Sequence, residues 1–177
     1  LGGNIVDYLK GFVIQFRGLS IDTHYFNFII DKKFFEAIDY AELENGLVNV
    51  SVEMINQQRM IILNFEIKGF IEVTCDRCLE NFNYQISGNE RLIVKYGESF
   101  QELSEEVIII PEGEYEIDLS KIIYEYIVLM LPIRCVHTDN ESGNSGCNAE
   151  MIDRLQKTIV IKEPDPRWDA LKDLLKE

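Results

Sequence analysis

Histidine is scarce in this chain, and positive charge is outweighed. Only His24 and His137 occur in 177 residues, so a scheme that needs a histidine base with an orienting partner has little to draw on. There is no glycine-rich phosphate loop, no His-Glu-x-x-His and no Gly-x-Ser-x-Gly, which removes the usual signatures of nucleotide, zinc-protease and serine-hydrolase sites. The 17 Lys and Arg are outnumbered by 31 Asp and Glu, a formal net charge of −14. Such a surface repels phosphate backbones unless its few cations gather on one face, and it attracts basic proteins. No apolar run reaches the length of a membrane span. The start, Leu1-Gly2-Gly3-Asn4, has neither a basic region nor a long apolar one, so a cytoplasmic chain is expected. Four cysteines are too few for a secreted disulfide framework; in a reducing compartment they are thiols or metal ligands.

What is present is a hydrophobic fraction of 46%, enough to bury a core without staples. Alternation of apolar and polar residues predicts strands over 8–16 and 24–30, then a short helix over 33–38 capped by Asp31. Val48, Val50, Val52 and Met54, a turn at 56–58, and Ile61, Leu63, Phe65 and Ile67 predict a β-hairpin. Gly69 reads as an interruption before an extended stretch over 70–73. Further strands are expected over 82–86, 92–96 and 107–110, around a polar, acidic loop at 97–106. Leu119, Ile122, Ile123, Tyr126, Ile127 and Met130 recur at helical spacing, and Pro132 follows. The fold expected is α+β: mostly antiparallel strands in a curved sheet or open barrel, a long amphipathic helix at about 119–130 and short C-terminal helices. Residues 1–163 are read as a single strand-rich domain. Residues 164–177, entered through Pro164 and Pro166, are read as a C-terminal docking tail in which Trp168 is a candidate partner contact.

The chemistry-bearing residues are the cysteines. A Cys-x-x-Cys turn, Cys75-Asp76-Arg77-Cys78, brings two sulfurs near enough to share one metal ion, and a tetrahedral zinc site needs two more soft ligands. Cys135 and Cys147 supply them, with His137 as a substitute. The competing reading makes Cys75 and Cys78 small core residues and leaves Cys135 and Cys147 as ordinary thiols. A thioredoxin-type redox role fits less well, because strand alternation resumes after Cys78 and no helix N-terminus stands there to stabilise a thiolate. Arg77 either offsets thiolate charge, faces a phosphate or carboxylate of a partner, or is a solvated turn residue. The aromatics Tyr25, Phe26, Phe28, Phe34 and Phe35 have few cations between them, so core packing suits them better than stacking on RNA bases. Carboxylates are numerous but scattered, and neither an acid/base pair nor a base for a cysteine nucleophile stands out.

Three segments in order resemble the YceD-like family. They are Val73-Thr74-Cys75-Asp76-Arg77-Cys78-Leu79-Glu80 with Phe82 following, then Ile117-Asp118-Leu119-Ser120 leading through Glu125 to Leu131-Pro132-Ile133, and finally Asp165-Pro166-Arg167-Trp168-Asp169-Ala170-Leu171. The resemblance implies a role in accumulation of large-subunit ribosomal RNA, in a family often associated with a small zinc-ribbon protein of that subunit. Many members carry a cysteine-rich segment after Leu-Pro that could complete a metal site. Here Cys135 and Cys147 lie far apart, with His137 between them. The expectation is a non-catalytic factor that binds a large-subunit ribosomal protein or precursor ribosomal RNA, with no membrane and no small-molecule substrate. A metal-dependent RNA-processing hydrolase and a structural zinc module for protein interaction are the alternatives.

Overall fold

Period-two alternation sets the frame. The structure, a computed structural model, describes residues 8–138 and 146–158. Its strands are β1 (Val13–Gln15), β2 (Thr23–Ile30), β3 (Gly46–Asn56), β4 (Met60–Thr74), β5 (Asn81–Gly97), β6 (Gln101–Ser104), β7 (Val107–Pro111) and β8 (Glu116–Asp118). Its helices are α1 (Lys32–Ala37), α2 (Ser120–Leu129) and α3 (Ala149–Thr158). Along β3 every second side chain from Val48 to Met54 is buried, and Ile61, Leu63, Phe65 and Ile67 of β4 are buried in turn. Each of these larger side chains contributes about 1.5–3 kcal/mol by leaving water. The antiparallel register, Gly46↔Ile71 to Asn56↔Ile61, is the one that keeps both sets on one face. The described residues fall into two compact units, 8–74 with 81–135, and 75–80 with 136–138 and 146–158.

The first unit holds a six-stranded sheet of order β2-β3-β4-β5-β7-β6 and a two-stranded one, β1-β8. The expected α+β fold with a curved sheet or open barrel and a long helix is overturned. The chain is mostly β, the large sheet is mixed because β5 and β7 run parallel, and its edges β2 and β6 do not close on each other. The helix after Asp118 is only 10 residues long. Ser120, Ile123, Tyr124, Tyr126 and Ile127 are buried around it, and its exposed stripe includes Val128 and Leu129. The helix lays one buried arc against the sheet, with the Phe65 and Tyr126 rings edge to face at 5.2 Å, and it is too short to be the long helix expected.

Other departures have local causes. The expected first strand shrinks to β1 because Tyr8 and Phe12 meet at i,i+4 with ring centroids 5.9 Å apart, and Lys10–Phe12 is a 3-10 turn. The short β1 pairs with β8, Val13↔Asp118 to Gln15↔Glu116, and not with β2. Gly69 does not interrupt: β4 runs through it, and a Cβ there would stand 2.2 Å from the Leu47 carbonyl. The stretches at 82–86 and 92–96 form one 17-residue strand, β5. Gly88 keeps that strand open to α2, since the Met130 Cε occupies the space 2.6 Å from where its Cβ would lie. The acidic segment at 97–106 contains β6, a short edge strand. The helix after Asp31 forms at Lys32–Ala37, its cap carboxylate accepting from the Lys33 and Phe34 N–H groups at 3.0 and 3.3 Å.

In the second unit α3 starts at Asn148, whose side chain accepts from the N–H groups of Glu150 and Met151 at 2.9 and 3.3 Å. Glu150 and Arg154, and Asp153 and Lys157, form i,i+4 ion pairs along it. The docking tail at 164–177, the short helix expected within it and Trp168 lie outside the described residues, as do residues 139–145. No described helix is long and apolar enough to cross a membrane.

Candidate metal centre

The six residues joining β4 to β5 form a tight knuckle. The Cys75 N–H donates to the Glu80 carbonyl and the Leu79 N–H to the Cys75 carbonyl, each at 2.9 Å. Closing so small a loop puts Leu79 at φ 62°, the left-handed region that a branched side chain enters at a cost of about 1–2 kcal/mol. The chain reversal turns Cys75 and Cys78 inward, and both are buried. The Arg77 N–H points back at the Cys75 Sγ, 3.4 Å away.

The segment after residue 135 brings up the rest. The Cys75 Sγ lies 3.7 Å from the Cys147 Sγ, and the Cys78 Sγ lies 3.4 Å from the His137 Nδ1. All four donor atoms lie within 4.8 Å of one another. A tetrahedral zinc ion with Zn–S bonds of about 2.3 Å and a Zn–N bond of about 2.0 Å requires S···S spacings of about 3.8 Å and S···N spacings of about 3.5 Å. The donor types and the two nearest spacings therefore suit a Cys3His site. Gly146 makes the approach possible: a Cβ there would stand 2.5 Å from the Thr138 carbonyl and 3.3 Å from the His137 Cβ. On the outer side the Asn148 amide donates to the Glu80 carboxylate at 2.6 Å, fastening the knuckle to the start of α3.

The electrostatics favour thiolate. Burial pushes the Cys75 thiol up, but the backbone N–H groups of Cys78, His137 and Arg77 and the His137 ring outweigh it, lowering the pKa from 9.0 to about 5. Thiolate is the form that ligates a metal. The same Cys75 is wholly buried, which argues against its use as an exposed redox thiol. None of the four cysteines is in a disulfide.

Of the residues weighed from sequence, Cys75, Cys78 and Cys147 converge with His137, the substitute, and Cys135 is not among the four. The Cys135 Sγ lies against the Pro132 carbonyl at 3.6 Å, in the first compact unit. The signal for His137 was Gly146 beside Cys147, since a glycine next to a ligand marks a close approach of two backbones.

Elsewhere the structure disperses the other candidates. Arg77 is half-buried within the knuckle. His24 sits on edge strand β2, its Nε2 3.0 Å from the Ser20 carbonyl. Phe34 and Phe35 are buried, and Phe12 packs on Phe34 and Phe28 at 4.9 and 5.4 Å. Tyr25 alone among the weighed aromatics is largely exposed, its hydroxyl donating to Glu53 at 3.1 Å.

The segment that carries the knuckle, α2, His137 and Cys147 is also the one that matches known sequences. A family model described as large ribosomal RNA subunit accumulation protein YceD matches residues 63–175, more than half of the 177. The chain belongs to the YceD family. Its description gives this YceD chain a ribosome-related role as an accumulation factor. No curated protein and no solved structure matches the chain. All four converging donors fall inside the YceD match.

Proposed function

We propose that this chain is a non-catalytic cytoplasmic factor that supports accumulation of large-subunit ribosomal RNA by binding a large-subunit ribosomal protein during assembly. The family match over residues 63–175 carries the reading. A net charge of −14 and a sequence pI near 4.6 support a basic protein partner over naked RNA, whose phosphates this surface repels.

In this reading Cys75, Cys78, His137 and Cys147 hold one zinc ion. A bound zinc supplies a cross-link between the knuckle and the segment entering α3. Four protein donors fill a tetrahedral shell, whereas a hydrolytic zinc keeps one position for water. That weighs against the RNA-processing hydrolase and makes the centre a structural part of a binding protein. Arg77, in the knuckle, and Trp168, in the C-terminal segment of the sequence, are the proposed partner contacts.

Incubating purified protein with proteins extracted from large ribosomal subunits tests the reading. A specific large-subunit protein should be retained at low salt and released as salt rises. Failure to retain any large-subunit protein at low salt contradicts it.

A further inference from the structure

The first unit carries a groove of about 810 Å³ between α2 and the β6–β7 edge of the sheet, with β5 and β8 contributing to its floor. Two properties coincide there. The floor is apolar, with Leu92, Ile108, Ile110 and Ile117 beneath, and the lips carry Phe100, Leu103 and Leu129, which are 59%, 58% and 75% exposed. Large apolar side chains left in water around one concavity mark an interaction surface more often than chance. The rim is acidic: eight carboxylates line the groove, among them Glu102, Glu105, Glu116 and Glu125, against two cations, Arg91 and Lys121. Lys121 is already paired with Glu125 at 3.6 Å.

We propose that this groove binds a lysine- and arginine-rich protein segment that also carries apolar side chains, its cations meeting the rim and its apolar residues covering Phe100, Leu103 and Leu129. The charge of the groove selects among occupants. A second copy of the chain brings a charge of −14 and is repelled. The chain's own segment 159–177 has five acidic residues to four basic ones and offers no complementary charge. RNA brings phosphates to a ring of carboxylates. Only a basic segment satisfies the rim, and only one with apolar residues satisfies the floor.

The proposal deepens the reading of the chain as a protein-binding factor and rests on it. Fluorescence anisotropy of the full chain tests it with three labelled probes of equal length: a Lys/Arg peptide with Leu and Phe interspersed, a peptide of the same charge with Ser in place of Leu and Phe, and oligouridylate. The first should bind saturably, and the second at least tenfold more weakly. The RNA should not bind. Leu103→Ser with Leu129→Ser should weaken the first peptide at least tenfold. Glu105→Gln with Glu116→Gln should do the same and flatten the salt dependence. Leu103, Glu105 and Leu129 are exposed and Glu116 is half-buried, so both variants should keep a melting temperature close to wild type, which is measured alongside. Equal binding of the two peptides, preference for RNA, a concentration-dependent dimer, or indifference to both variants would overturn the proposal. Retention of a large-subunit protein equally by wild type and Leu103→Ser/Leu129→Ser sinks the groove and leaves the wider reading standing. No retention by wild type sinks that wider reading by itself.

Discussion

Replacing the ligands one at a time separates a Cys3His centre from a four-cysteine one. Three sulfurs and one nitrogen converge within 4.8 Å. In cobalt-substituted protein the sulfur-to-metal charge-transfer absorption is shared by the coordinating thiolates. Cys75→Ser, Cys78→Ser and Cys147→Ser should each remove about a third of it at saturating cobalt. His137→Ala should leave that absorption and alter the ligand-field bands. Cys135→Ser should change neither. Losing a group that only hydrogen-bonds to a metal ligand already weakens binding by about 10–100-fold. Loss of a direct ligand should therefore weaken zinc retention against a chelator by at least about 100-fold. Elemental analysis of protein prepared without chelator should give one zinc per chain in wild type and in Cys135→Ser. The reasoning fails if the wild type holds no metal, or if Cys135→Ser removes about a quarter of the absorption, as a fourth thiolate would require.

Two further outcomes follow from the packing. Phe65, 1% exposed and edge to face with Tyr126 at 5.2 Å, should cost about 3–5 kcal/mol when changed to Ala, seen as a lower urea midpoint at unchanged m; a loss below about 1 kcal/mol would mean that α2 does not seal the sheet there. Burial raises the Tyr126 phenol from 10.0 to about 12, helped by Glu90, Glu106 and Glu125, and burial with the hydrogen bond to Asp31 raises Tyr8 likewise. Since the unfolded chain releases these protons first, stability present below pH 10 should fall between pH 10 and 12. Tyr126→Phe should flatten that fall in denaturation curves, and an unchanged slope would contradict the assignment.

The hairpin of β3 and β4 was legible because one strict alternation, Val48 to Met54 and Ile61 to Ile67, fixes element, register and buried face together. The helix after Asp118 was legible in position but not in extent. Side-chain spacing marks the residues that face a core, yet it does not set where the helix stops, and Val128 and Leu129 stay exposed on its open side. Glycine misled where tertiary contact decides. Gly69 reads as a break in local terms, but it sits within the long strand β4 because the Leu47 carbonyl occupies the place of a Cβ. The mixed sheet was beyond reach, since the parallel pairing of β5 with β7 depends on β6 returning the chain through a segment that looked like an acidic loop. In the metal centre the Cys-x-x-Cys half was readable from spacing. The other half depends on a backbone crossing at Gly146, so choosing between Cys135 and His137 required coordinates.

We propose that this YceD-family chain sustains large-subunit ribosomal RNA as a binding factor. The most direct measurement is the ratio of large- to small-subunit ribosomal RNA in cells depleted of the protein and complemented with defined variants. The ratio should fall on depletion and recover with wild type and Cys135→Ser, but not with Cys147→Ser. An unchanged ratio on depletion would contradict the claim.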